Sequence, residues 1–227
     1  MSKTTKKGSS ANPEQYLETH ALKADLAGRS IRGGTVTMVS QAAKLIMQFG
    51  STAIVARLIA PEDFGLIAMV NGVTGFISMF KDMGLSMATV QKAEVTHRQV
   101  SNLFWINVVV SIIFALLTTL LAPGIAWFYK EPRLVLITCV AASGFVFGGL
   151  TTQHNALLNR QMRFTSLAAI DVAATLLGNL AAVLAALSGF GYWSLVLMQL
   201  VIALSNAGGV WLMCGWRPGL PTRQAGI

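Results

Sequence analysis

Charge is scarce in this chain. Only 11% of its 227 residues are Asp, Glu, Lys or Arg, and 54% are hydrophobic. A soluble domain carries about 25% charged residues, and its helices alternate apolar and charged faces. Here the segments Leu103–Ala122 and Leu134–Thr152 contain no charge at all, which excludes a large soluble helical protein. Cysteine is equally sparse. Cys139 and Cys214 sit inside or at the end of apolar runs, with no metal-ligand spacing and no scope for a disulfide framework. The three histidines, His20, His97 and His154, are scattered. Paired catalytic carboxylates, a Ser/His/Asp grouping and a phosphate-cradling glycine loop are all missing. The expectation is a protein that is not an enzyme and uses no cofactor or metal. The first 30 residues are polar and lack the apolar stretch of a cleavable signal peptide.

What the chain has in quantity is long apolar segments. A hydrocarbon core about 30 Å thick needs roughly 20 residues of helix at 1.5 Å per residue. Six runs approach that length: Thr35–Ile59, Phe64–Phe80, Leu103–Ala122, Leu134–Thr152, Leu167–Leu187 and Trp193–Met213. The second is short and extends toward Met87. Mean hydropathy is +0.61. The predicted fold is an all-α membrane protein of six transmembrane helices. Residues 1–32 form a basic tail containing one short surface helix, Gln15–Ala27. The helical lobe fills residues 33–214, and residues 215–227 form a C-terminal segment.

The basic residues alternate with these runs. Thirteen lie on one side: Lys3, Lys6, Lys7, Lys23, Arg29 and Arg32 in the tail, then Lys81, Lys92, Arg98, Arg160, Arg163, Arg217 and Arg223. Only Lys130 and Arg133 lie on the other, and Lys44 and Arg57 fall within the first run. Positive loops stay cytoplasmic, so both termini are expected in the cytoplasm. The same asymmetry explains the net charge of +8 without a nucleic-acid partner. It also places a basic tail against anionic membrane lipids. Aromatic residues agree with this depth assignment. Trp127, Phe128, Tyr129, Tyr192 and Trp193 fall at the outer interface, and Trp105, Trp211 and Trp216 at the inner one.

Polar residues within the runs share faces. At 100° per residue, Thr37, Gln41, Lys44, Gln48 and Ser51 fall within about 80° of one another. A lysine at that depth is costly unless it meets water, a partner or a ligand. Gln41 and Gln48 extend the polar stripe beyond snorkelling reach, which points to a water-filled cavity. Asn71, Thr74, Gly75 and Ser78 share a face in run two. Asn107, Ser111, Ala115 and Thr118 read as a packing stripe in run three, and Gly144 and Gly148 have GxxxG spacing in run four. Asp171, Thr175 and Asn179 recur at i, i+4, i+8 in run five. Asp171 pairs with Lys44, Arg160 or Arg163, or binds a coupling proton; an ion pair is the cheaper solution.

The first turn reads Val55-Ala56-Arg57-Leu58-Ile59-Ala60-Pro61-Glu62-Asp63-Phe64-Gly65. It resembles a signature of bacterial polysaccharide transporters, the oligosaccharide flippase branch of the multidrug/oligosaccharidyl-lipid/polysaccharide exporter superfamily. Lys81-Asp82-Met83-Gly84-Leu85, Asn159-Arg160-Gln161-Met162-Arg163-Phe164 and Gly189-Phe190-Gly191-Tyr192-Trp193-Ser194-Leu195 resemble further stretches of that family. The first motif also has a local logic. Pro61 starts a helix well, Glu62 and Asp63 suit its N-terminus, and Arg57 lies within reach of them as a clasp.

The resemblance implies one six-helix lobe of a two-lobe inner-membrane flippase, here a truncated N-terminal half that needs a second lobe or a homo-oligomer. Its implied cargo is a polyprenyl-diphosphate-linked oligosaccharide destined for polysaccharide or lipopolysaccharide. Lys44 is the candidate partner of the diphosphate, with Gln41 and Gln48 for sugar hydroxyls, Asn71 as a further substrate-binding candidate and Arg57 near the outer exit. One alternative is a multidrug or cation exporter of the same superfamily, which would favour acidic cavity residues. Another is a non-transporting membrane remnant or assembly partner. A glycan polymerase or ligase would need a large outer loop or clustered acids and histidines, and the outer loops here are a few residues long. Topology is directly testable on a cysteine-free background. A cysteine placed at Phe190 should react with an impermeant reagent added outside, and one at Gln161 should not. The reverse labelling would invert the orientation.

Overall fold

A computed structural model describes the backbone of residues 26–82 and 96–220. Six helices follow in order: α1 (Leu26–Val55), α2 (Pro61–Asp82), α3 (His97–Tyr129), α4 (Leu134–Arg160), α5 (Phe164–Leu187) and α6 (Trp193–Met213). They match the six runs, and no strand occurs among the described residues. The surface helix expected at Gln15–Ala27 lies almost wholly outside the described residues, as does most of the Lys81–Leu85 motif.

Four of the helices, α3 to α6, are long and apolar enough to cross a membrane. The other two have the length, at 30 and 22 residues. Their hydropathy is lowered by the residues that marked them out in the sequence. In α1 these are Gln41, Lys44 and Gln48; in α2 they are Glu62, Asp63 and Asn71. Composition alone therefore shows four spans where the sequence predicts six.

Local chemistry sets the helix ends. Pro61, Glu62 and Asp63 open α2, where a missing N–H costs nothing and negative charge meets the helix dipole. A reciprocal capping box opens α3: the Thr96 hydroxyl accepts from the Gln99 N–H at 3.3 Å, and the Gln99 side chain accepts from the Thr96 N–H at 3.2 Å. Lys130 closes α3 in the left-handed region, at φ 55°.

The helices gather at two ends. At the end opposite the termini, one apolar cluster draws on all six: Val55, Leu66, Ile67, Ile125, Leu134, Ala182 and Leu195 among others. At the end that carries the termini, a second cluster joins Val100 and Phe104 of α3, Leu157 and Leu158 of α4, Ile170 of α5, Val210 of α6, and Cys214 and Trp216 beyond it. Neither α1 nor α2 contributes to that second cluster among the described residues. Instead α1 rests on α5, α2 rests mainly on α4 and α3, and α6 packs between α5 and α4. Among the described residues α1 and α2 share a core only at the far end, through Val55 and Leu66, which leaves a cleft between them along the rest of their length. α6 reaches both of its sides, through Asn206 to Asp171 and through Gln199 to Asn71.

Residues 214–220 turn back onto α3. Trp216 Nε1 donates to His97 Nδ1 at 3.0 Å, the Gly219 N–H donates to Ser101 Oγ at 3.0 Å, and Trp105 Nε1 donates to the Gly219 carbonyl at 2.9 Å. Trp216 is therefore buried, with 1% of its surface exposed, rather than lying in an interfacial belt. Trp127 and Phe128 at the far end are exposed, as expected of that belt.

Small residues set the closest helix approaches. Asn107, Ser111 and Thr118 are buried, and a β-carbon at Gly149 of α4 would strike the Ser111 side chain and approach the Asn107 carbonyl. Gly149, not Gly144, makes this contact; a β-carbon at Gly144 would meet nothing within 4 Å. Overpacking of a close contact typically costs about 1–3 kcal/mol. Gly149→Ala should lower stability in detergent by that order, measured by thermal unfolding, while Gly144→Ala should be close to neutral. Equal effects would refute the assignment of the α3–α4 contact to Gly149.

Candidate functional site

Three helices bring one ionic node together. Lys44 of α1 donates from Nζ to Asp171 Oδ2 of α5 at 3.0 Å. Asn206 of α6 donates from Nδ2 to Asp171 Oδ1 at 3.0 Å. Both carboxylate oxygens are thus engaged, and Asp171 joins α1 to α6. The side chains are neither sealed nor free: 26% of Lys44 and 39% of Asp171 remain exposed. Of the partners open to Asp171 in the sequence, the fold selects Lys44. Arg163 instead donates to the Met213 carbonyl at 3.0 Å. The hydroxyl of Thr175, one turn on, donates to the Asp171 carbonyl at 2.8 Å.

The rest of the α1 stripe divides around Lys44. Ser51 turns into the bundle and is buried, whereas Gln41 and Gln48 are exposed. Neither glutamine bonds to another described residue, so both amides are free to meet water or a ligand. The Thr37 hydroxyl is spent on the Gly33 carbonyl of its own helix, at 2.9 Å.

A second polar node lies on the α2 side of the cleft. Gln199 of α6 donates from Nε2 to Asn71 Oδ1 of α2 at 3.3 Å. The pair borders a cavity of about 130 Å³ between α2, α4 and α6. Thr74 and Ser78, which share the Asn71 face, donate back to Val70 and Thr74 carbonyls at 2.8 and 3.0 Å. Of that polar face, only Asn71 reaches across to another helix.

Gln199 and Asn206 escape attention in the sequence, because run six is read there for length and aromatic ends. The signal is present nonetheless. They stand seven residues apart, two turns of helix, within about 20° of one line. Met198, Ile202 and Gly209 point at α5, and Val196, Leu200 and Ala203 line the cavity. The two amides mark the boundary between those faces.

The turn between α1 and α2 differs from the expected clasp. Asp63 lies 4.0 Å from Arg133, not against Arg57. Arg133 also binds Glu131 at 2.8 Å, and this hydrogen bond holds the Glu131 carboxyl below its ordinary range. Arg57 is exposed and makes no ion pair among the described residues. Two motifs distant in sequence meet here. A β-carbon on Gly191, at φ 54°, would lie 3.3 Å from Asp63 Oδ2. Gly191 thus provides both a left-handed turn and room for the Asp63 carboxylate.

Charges at membrane depth are tolerated when paired, and removing one partner strands the other. Lys44→Ala and Asp171→Ala should therefore each destabilise the protein, and the double variant less than their sum. Contacting pairs couple by about 0.5–3 kcal/mol in such cycles. Unfolding of the purified variants in detergent reads this out, and strictly additive losses would show that the two charges do not support each other.

The comparisons with known proteins agree with this architecture. A family model described as "Polysaccharide biosynthesis protein" matches residues 54–227. A succinoglycan biosynthesis transport protein of Rhizobium meliloti is 28% identical over 184 residues, covering 80% of this chain and 37% of that protein. A lipopolysaccharide biosynthesis protein of Escherichia coli is 24% identical over 180 residues, 77% of this chain and 36% of its own length. A teichuronic acid biosynthesis protein of Bacillus subtilis is 26% identical over 140 residues, covering 62% and 29%. The chain thus spans about two fifths or less of the relatives it matches. No solved structure matches it. With a family match over most of its length, on a bundle in which four helices are apolar enough to cross a membrane, the chain belongs to the polysaccharide biosynthesis protein family.

Proposed function

We propose that the chain is one lobe of an inner-membrane flippase that exports polyprenyl-diphosphate-linked oligosaccharide. All six helices span the bilayer, both termini are cytoplasmic, and a second lobe or another copy completes the translocation path. The observation that carries this reading is Lys44, a cation on α1 paired to Asp171 of α5 with about a quarter of its side chain still exposed. In the orientation set by the basic residues, the cleft between α1 and α2 opens toward the cytoplasm, the side from which cargo is loaded.

A diphosphate entering a low-dielectric cleft needs compensating charge. Lys44 supplies it once the substrate takes the place of Asp171. Asn206 then continues to hold the Asp171 carboxylate, which limits the cost of losing its lysine. The free amides of Gln41 and Gln48, three and four residues from Lys44 on α1, face the same opening and suit sugar hydroxyls. Arg57 offers an unpaired cation at the exit. Rocking of two lobes about a midplane site moves the cargo across.

One observation favours the rival cation exporter: the node contains an acid, and Asp171 is more exposed than Lys44. The two readings separate by substitution. Compensation of a phosphate by one ammonium is worth about 1.5–3 kcal/mol, which is roughly 10- to 150-fold in apparent affinity. In cells whose export depends on this protein, Lys44→Ala should nearly abolish surface polysaccharide per cell, normalised to membrane abundance. Lys44→Arg should retain part of it. Wild-type export by Lys44→Ala at normal abundance would remove the diphosphate role. Loss confined to Asp171→Asn, with drug efflux as the affected activity, would favour the cation exporter.

A further inference from the structure

We infer that the cavity beside Asn71 and Gln199 is a sugar subsite, which seats the ring attached directly to the diphosphate and in which Gln199 sets specificity. The inference rests on the reading of Lys44 as the diphosphate partner and extends it to a second place in the cleft.

The chemistry of the walls selects the ligand. The cavity is bordered by three polar side chains, Asn71, Ser143 and Gln199, among branched aliphatic ones such as Ile67, Ile137 and Leu200. None carries a charge, so a phosphate or an ammonium group has no counterpart there. An isoprenoid tail has no hydrogen-bonding group, and seating it would leave two amides facing hydrocarbon. A hydroxyl donates and accepts at once, and the amide pair offers both functions. With Gln199 Nε2 bonded to Asn71 Oδ1, the Asn71 amino group and the Gln199 carbonyl remain for a ligand. The Ser143 hydroxyl, whose proton goes to the Val140 carbonyl at 2.6 Å, remains as an acceptor.

Size and position agree. A cavity of about 130 Å³ is comparable to one of about 150 Å³ that takes up a single six-membered ring, so it suits one sugar ring rather than a chain of them. Gln199 stands two turns of α6 from Asn206, about 10 Å along the axis. Asn206 holds Asp171, and Asp171 holds Lys44. α6 thus carries both amides, one holding the carboxylate that pairs with Lys44 and one bordering the cavity.

The test uses the chain in lipid nanodiscs with two probes, polyprenyl diphosphate and the same lipid bearing a single glucose, with binding read by native mass spectrometry. Wild type should bind the glucosylated lipid more tightly. Gln199→Leu should weaken that lipid by on the order of fivefold to tenfold, the loss of one or two hydrogen bonds, and leave the bare diphosphate unchanged. Ala203→Leu fills the cavity without touching either amide and should erase the same preference. Lys44→Ala should weaken both lipids alike. Equal affinity of wild type for the two probes would overturn the subsite. So would a Gln199→Leu variant that weakens both equally or neither. A Lys44→Ala variant that binds both lipids normally would instead remove the diphosphate reading and leave the sugar preference to be judged on its own ratio.

Discussion

A lysine on α1 and an aspartate on α5 lie 127 residues apart and meet at 3.0 Å. A charge partly withdrawn from water is costly unless it is paired. Paired, and with Asn206 bonded to the second carboxylate oxygen, they become a fixed point for the bundle. Among the described residues α1 has no share in the apolar cluster near the termini, so this polar contact helps define where it rests on α5. The pair also stays partly exposed, 26% at Lys44 and 39% at Asp171, which leaves it accessible to competition. One interaction thus bears on both the seating of a helix and the availability of a cation.

The remaining packing follows from small residues meeting large ones. Gly149 admits the Ser111 side chain, Gly178 admits Ile202, Gly209 admits Ile170, and Gly33 admits Phe164. Between helices in lipid, apolar area alone discriminates little, because the surrounding tails are as apolar as leucine; close backbone approach and shape do the selecting. These contacts tie α3 to α4, α5 to α6 and α1 to α5. None of these four joins α1 to α2, and the cleft is the consequence. The turn where those two helices converge is braced by Arg133, Asp63 and Gly191. That explains why two motifs far apart in the chain carry residue types that suit each other.

Much of the candidate site is legible in the sequence. The stripe on run one singled out Lys44, and the only acid deep in a run singled out Asp171, because cost at depth depends on residue type and position alone. The Asn71 face was visible in the same way. Gln199 and Asn206 were missed because amides in an apolar run are unremarkable until their opposite numbers are known. The clasp went to Arg133 instead of Arg57 because a turn's neighbours in space come from other turns. Trp216 was placed at an interface on its chemistry, yet its indole N–H found His97 when the segment folded back.

By itself the sequence determined the all-helical class, the order of the six helices among the described residues, and the Pro61 start of the second. Those depend on hydropathy, proline and local hydrogen bonding within a few residues. It also marked which polar residues had to find a partner. Only the tertiary structure decided which partners they found, that α1 and α2 part to form a cleft, and that α6 reaches both of its sides through Gln199 and Asn206. Those outcomes depend on how closely pairs of helices can approach, and that is set by the fit of a glycine on one helix to a side chain on another, far away in the chain.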